Sequence, residues 1–88
     1  PTDFTLSAAY PNPFNPSTSF SVNLPETVDL NVTVFNTLGQ QVASLAQGQY
    51  NAGMHNFTFD GANLASGIYL VKASSEIGND MRKVMLMK

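Results

Sequence analysis

The 88-residue sequence predicts an all-β fold, an antiparallel β-sandwich of about seven short strands in two sheets. Apolar and polar residues alternate with period two along most of the chain. Clusters of Gly, Pro, Asn and Ser interrupt that alternation at turn spacing, and no window carries convincing helical periodicity. One apolar side per strand suits two sheets packed face to face over a shared core.

Each element follows from its own residues. Phe4 to Ala8 reads as a first strand. In the second, Phe20, Val22 and Leu24 line one face and Ser19, Ser21 and Asn23 the other, until Pro25-Glu26 closes it. Val28, Leu30, Val32 and Val34 form the next inward row, opposite Asp29, Asn31, Thr33 and Phe35. Asn36 to Gly39 is a turn, with Gly39 free to take positive φ. Gln41 to Leu45 makes a short strand, and His55, Phe57 and Phe59 then alternate with Asn56, Thr58 and Asp60. Asn63 to Ser66 has room for a single helical turn. Gly67 to Ser74 sets Ile68, Leu70 and Lys72 against Tyr69, Val71 and Ala73. Gly78-Asn79 has hairpin-turn composition, and Met81 to Lys88 returns as the last strand. The predicted core comprises Phe20, Val32, Val34, Phe57, Phe59 and Leu70.

Ahead of the second strand stands YPNPFNPST, Tyr10 to Thr18. Proline fixes φ, lacks an N–H and pushes the preceding residue toward extended geometry. Asn12 and Asn15 are therefore extended or in turns, and the stretch is a stiff, non-helical lead-in. Pro11, Pro13 and Pro16 donate nothing to a ladder, which keeps the segment out of a sheet interior. The expected organisation is one domain, 1–88: first strand and linker over 1–9, lead-in over 10–18, sandwich over 19–88.

Composition removes several function classes. Net charge is −2 and 11% of residues are charged, against roughly 25% in an average soluble domain. Nucleic acid calls for a basic face and an anionic membrane surface for clustered cations; neither is expected as a partner. The absence of cysteine removes disulfides, thiolate metal sites and cysteine nucleophiles together. No stretch approaches the ~18 apolar residues of a membrane span, so membrane insertion is not expected. The chain opens Pro1-Thr2-Asp3 and reads as an excised domain of a longer protein.

Chemistry is sparse. His55, the single histidine, shares a face with Phe57 and Phe59 and reads as a packing residue. Asp60, before Gly61, reads as a turn cap, with a carbonyl-assisted Ca²⁺ site as the minor alternative. No GxSxG elbow and no phosphate-cradling glycine loop is present, so no enzyme activity and no cofactor are expected. Sugar binding is the rival reading for a small sandwich, yet tryptophan is absent. Tyr10, Phe14, Tyr50 and Tyr69 are the aromatics that could form a platform; a structural spacer is the other alternative.

Three segments in order carry a resemblance: YPNPFNPST at 10–18, NTLGQQVASL at 36–45, and FDGANLASGIYLVKASSEIGNDMRKVMLMK at 59–88. Together they resemble the type A C-terminal sorting domain of the type IX secretion system. The flagellar hook-capping protein's Ig-like domain is similar at fold level, sharing the LxxG-like turn and the LASGxY stretch. The resemblance implies an Ig-like sandwich acting as a non-catalytic address label behind an exported cargo. Such a label is recognised in the periplasm and taken through the outer-membrane translocon of a Gram-negative bacterium to the cell surface or extracellular space. Its implied partners are the upstream cargo domain, a translocon receptor and a sortase-like protease, with the label itself monomeric. Carried onto this chain, the recognition candidates are Pro11, Asn12, Pro13, Gly39, Gly67, Tyr69, Lys83 and Lys88. Met85 and Met87 stand where aliphatic residues are frequent. Beside the resemblance, a closing strand with Lys83 and Lys88 on alternate faces suggests an open edge for strand addition by a receptor.

Overall fold

Alternation becomes antiparallel pairing in a computed structural model that describes residues 4–88. The strands are β1 (Thr5–Leu6), β2 (Ser17–Leu24), β3 (Val28–Asn36), β4 (Gln41–Tyr50), β5 (Gly53–Asp60), β6 (Gly67–Ser75) and β7 (Gly78–Leu86). One sheet runs β1-β2-β5 and the other β4-β3-β6-β7. This is the two-sheet sandwich that the period predicts. The first three positions of the expected 1–9 segment lie outside the described residues, and of Phe4 to Ala8 only Thr5–Leu6 pairs, with Asn23 and Val22.

The core lies between the sheets. Val22 and Leu24 of β2, Leu30, Val32 and Val34 of β3, and Val84 and Leu86 of β7 are all at most 2% exposed. Phe20, Val32, Val34 and Phe59 are buried as predicted. Phe57 is only partly buried, because β5 is an edge strand and the ring rests between Phe20 and Tyr50 near the rim, at 5.9 and 6.0 Å. Leu70 is the larger correction. In β6 the inward row is Tyr69, Val71 and Ala73, which places Ile68, Leu70 and Lys72 on the outer face. The alternative facing would drive the Lys72 ammonium into an apolar core, a cost no partner there offsets.

The β3–β4 turn forms where the sequence places it, and the β6–β7 turn does not. Asn36 closes the β3–β4 connection by accepting, through Oδ1, from the N–H groups of Leu38 (2.9 Å) and Gln40 (3.0 Å). Gly39 takes φ 84° there, the left-handed region that glycine enters without steric cost. The β6–β7 hairpin turns at Glu76-Ile77 rather than Gly78-Asn79, with Ser75 opposite Gly78. Ser75 Oγ donates to the Gly78 carbonyl (3.0 Å) and accepts from Ile77 N–H (3.3 Å), which fixes the turn two residues early. A shift of two preserves facing, so Val84 and Leu86 still point inward. β4 extends well past Leu45, since the ladder to β3 carries Gln47, Gly48 and Gln49 in spite of their polarity.

Candidate functional site

The lead-in is built into the sandwich. The segment from Asn12 to Phe14, bent through Pro11 to Pro13, lies along the outer edge of β7, with Phe14 bridged in parallel to Leu86. Phe14 N–H donates to the Met85 carbonyl (2.8 Å), and Met87 N–H donates to the Phe14 carbonyl (2.9 Å). Between the prolines, the Asn12 carboxamide acts as a substitute peptide group: Nδ2 donates to the Lys83 carbonyl (3.1 Å) and Oδ1 accepts from Met85 N–H (3.0 Å). Prolines lack donors, so Asn12 and Phe14 carry the ladder; that is why Pro11 and Pro13 are tolerated at a sheet edge. Thr18, 1% exposed, donates its hydroxyl to the Pro11 carbonyl at 2.7 Å and folds the segment back onto β2. The bonds Tyr10–Pro11, Asn12–Pro13 and Asn15–Pro16 are cis.

This arrangement overturns the expectation of an open edge on the closing strand. The Lys83 carbonyl, the Met85 N–H and carbonyl, and the Met87 N–H are taken by the lead-in. Further along the strand, Met81 N–H donates to Asp80 Oδ1 (2.8 Å), and Arg82 Nη1 donates to the Met81 carbonyl (3.4 Å). Covering an edge in this way removes a template for strand addition. Replacing Asn12 with Ala deletes two hydrogen bonds and is expected to cost about 1–2 kcal/mol. The midpoint of urea unfolding should fall accordingly; an unchanged midpoint would mean that water serves β7 equally well.

Phe14 anchors the edge from inside. Its ring is 1% exposed, 5.6 Å from the Phe59 ring at 59°. A Cβ on Gly61 would meet Leu86 Cδ2 at 2.8 Å and Phe14 Cε2 at 3.4 Å, so glycine is what lets the 61–66 loop close over these side chains. Asp60 Oδ1 accepts from Ala62 N–H (2.9 Å), the turn-capping role expected of it. Leu64 N–H reaches back to the Gly61 carbonyl (2.9 Å), forming a turn and no helix.

Tyr69 and Lys88 hold that loop from below. Tyr69 is 6% exposed, edge-on to Phe59 at 6.0 Å, and its hydroxyl donates to the Ala65 carbonyl at 2.6 Å. Lys88 N–H donates to Ser66 Oγ (3.1 Å), and its Nζ donates to the Ala62 carbonyl (2.7 Å). Gly67 opens β6 opposite Leu86, with φ 154°.

Asn12, Lys83, Gly67, Tyr69 and Lys88 therefore come together through lead-in, loop and closing strand at one end of the sandwich. Pro11 and Pro13 flank the pairing; Gly39 belongs to the neighbouring β3–β4 turn at the same end, where Asn36 pairs with Tyr69. Thr18, Gly61 and Ser66 belong to the same construction and are not among the residues singled out from the sequence; Asp60 joins them in its expected capping role, and Phe14 joins them as a core anchor rather than as part of an exposed aromatic platform. A single large apolar side chain between Pro13 and Asn15, in an otherwise polar stretch, is the signal that could have flagged Phe14.

No aromatic platform forms. Phe14 and Tyr69 are core residues, Tyr50 is half-buried against His55 and Phe57, and Tyr10 alone of the four is exposed. Among the described residues, no three His, Asp or Glu side chains are placed to hold a metal ion, Asp60 included.

A model of the family described as the secretion system C-terminal sorting domain matches residues 8–87. Among solved structures, the chain is similar to PorZ, an essential bacterial surface component of the type-IX secretion system of Porphyromonas gingivalis. The TM-score is 0.61 at 17% identity, covering 97% of this chain and 11% of that chain. The present chain thus spans a small part of PorZ, and the likeness is one of fold. No curated protein matches.

Proposed function

The chain belongs to the family of secretion system C-terminal sorting domains, and from that premise we propose that it is a non-catalytic label read as a folded surface. Type IX secretion is its route, and the destination is the cell surface or extracellular space of a Gram-negative bacterium. The observation that carries the reading is the family match over 8–87, which takes in lead-in, loop and closing strand together.

The label serves an upstream cargo domain in the same chain, is recognised by a translocon receptor, and is the substrate of a sortase-like protease. Residues 1–88 act as a single domain in this role. Two observations support a passive part. His55 Nε2 is engaged with the Asn51 carbonyl at 2.7 Å, its ring edge-on to Tyr50 at 5.1 Å. Asn12, Tyr69 and Lys88 spend their polar atoms on backbone groups of the same fold. Pro11, Pro13, Gly39 and Gly67 then contribute to recognition by shaping the surface, while Lys83 presents its side chain directly.

The test is a reporter carrying a signal peptide at its start and residues 1–88 at its end, expressed in a host with the type IX translocon. The reporter is expected at the surface or in the medium. Intact fusion retained in the periplasm, with the domain folded by circular dichroism, overturns the reading.

A further inference from the structure

We propose that the outer face of the β6–β7 hairpin is the docking surface of this label, and that its occupant is a protein surface presenting an apolar side chain bordered by carboxylates. The proposal rests on the sorting reading above and names the chemistry of its partner.

Alternation on β7 turns Val84 and Leu86 inward and Met81, Lys83 and Met85 outward. Met81 is 46% exposed and Met85 38%, and Met87 beyond them is 54% exposed. Across the ladder stand Lys72 opposite Met81, Leu70 opposite Lys83 and Ile68 opposite Met85. The face is thus a checker of apolar and cationic side chains two strands wide. Where the lead-in borders it, Asn12, Pro13, Ile68, Lys83, Val84 and Met85 line a groove of about 180 Å³, room for one apolar side chain. Methionine is unbranched and polarisable, suited to moulding around an inserted group.

Charge selects the partner. All four Lys and Arg residues of the chain lie in residues 67–88, against Glu76 and Asp80; the other four carboxylates, and no cation, lie in residues 1–66. Arg82 is paired with Asp80 at 3.4 Å and Lys88 Nζ with the Ala62 carbonyl, whereas Lys72 and Lys83 make no ion pair among the described residues. Those two lysines flank the methionines, so a complementary surface carries acids around an apolar contact. An anionic lipid surface fits less well: each lysine would contribute only about 1 kcal/mol there, and the chain as a whole is negative. Backbone pairing along β7 is disfavoured for a partner because the lead-in already holds the Lys83 and Met85 carbonyls and the Met85 and Met87 N–H groups, and Arg82 holds the Met81 carbonyl.

Met85→Glu and Lys83→Glu, each in the reporter fusion, reverse the chemistry of the face, and Asn56→Glu on the outer face of β5 is the control. Exported reporter should fall roughly tenfold or more in the first two, with thermal midpoints near wild type, and be unchanged in the control. If Met85→Glu fails to fold, Lys83→Glu decides, its side chain being exposed. Folded Lys83→Glu exported like wild type overturns the docking face and leaves the sorting reading standing. A wild-type fusion retained in the periplasm overturns both. Cosedimentation of the wild-type domain with phosphatidylglycerol vesicles, abolished by Lys83→Glu, would replace the protein occupant with a lipid surface and so overturn the proposal.

Discussion

Phe14→Ala is expected to remove about 3–5 kcal/mol of stability, the cost of emptying a buried aromatic site. Small domains begin with roughly 5–15 kcal/mol, and one of this size belongs toward the lower end, so most of the fold's margin would go. The magnitude follows from position. Phe14 is 1% exposed and fills the space among Phe59, Gly61 and Leu86, while its own N–H and C=O hold β7 through Met85 and Met87. Truncation leaves a cavity that the glycine opposite cannot fill, and it loosens the segment that covers the β7 edge. The check is urea unfolding followed by far-UV circular dichroism: a lower midpoint at an unchanged slope. Phe14→Leu should lose clearly less, because most of the volume is retained. A loss under about 0.5 kcal/mol for the alanine variant would mean that the lead-in is merely a linker and that its packing contributes nothing to the fold.

That result bears on what the sequence disclosed. Strands β2 and β3 were legible because the buried rows Phe20-Val22-Leu24 and Val28-Leu30-Val32-Val34 alternate with mostly polar residues. β6 was legible as a strand yet ambiguous in facing, since Ile68 and Leu70 are as apolar as Val71 and Ala73. The tie is broken by Lys72 on one row and by the Ala65 carbonyl waiting for the Tyr69 hydroxyl on the other. Proline chemistry correctly kept the lead-in from a sheet interior. It could not disclose a side-chain amide standing in for the missing backbone donors, because Asn12 meets Lys83 and Met85 across more than seventy positions of sequence. Contacts of that separation belong to the tertiary fold, and local propensity carries no trace of them. The same limit hid the roles of Gly61 and Ser66, each defined by the closing strand. Deleting Met81 to Lys88, a natural way to probe a terminal signal, removes Val84 and Leu86 from the core and would unfold label and spacer alike. Substitutions of exposed side chains separate recognition from folding where truncation cannot.

Tyr69 separates the same two effects by a second route. Tyr69→Ala is expected to cost about 3–5 kcal/mol, because the ring is buried edge-on to Phe59 beneath the 61–66 loop. Tyr69→Phe keeps the ring and loses only the hydroxyl's bond to the Ala65 carbonyl, for about 1 kcal/mol. If the tyrosine acts by holding the loop against the closing strand, export of a reporter fusion follows stability. The phenylalanine variant should then travel at close to wild-type yield, and the alanine variant should be lost as unfolded protein. Cooling, or any stabilising substitution elsewhere in the core, should partly restore the alanine variant. A receptor reading the tyrosine directly gives another pattern: Tyr69→Phe melts within a few degrees of wild type yet is not exported. The geometry favours the first outcome. A hydroxyl committed to an internal carbonyl at 2.6 Å, on a side chain 6% exposed, offers a receptor almost no surface to hold.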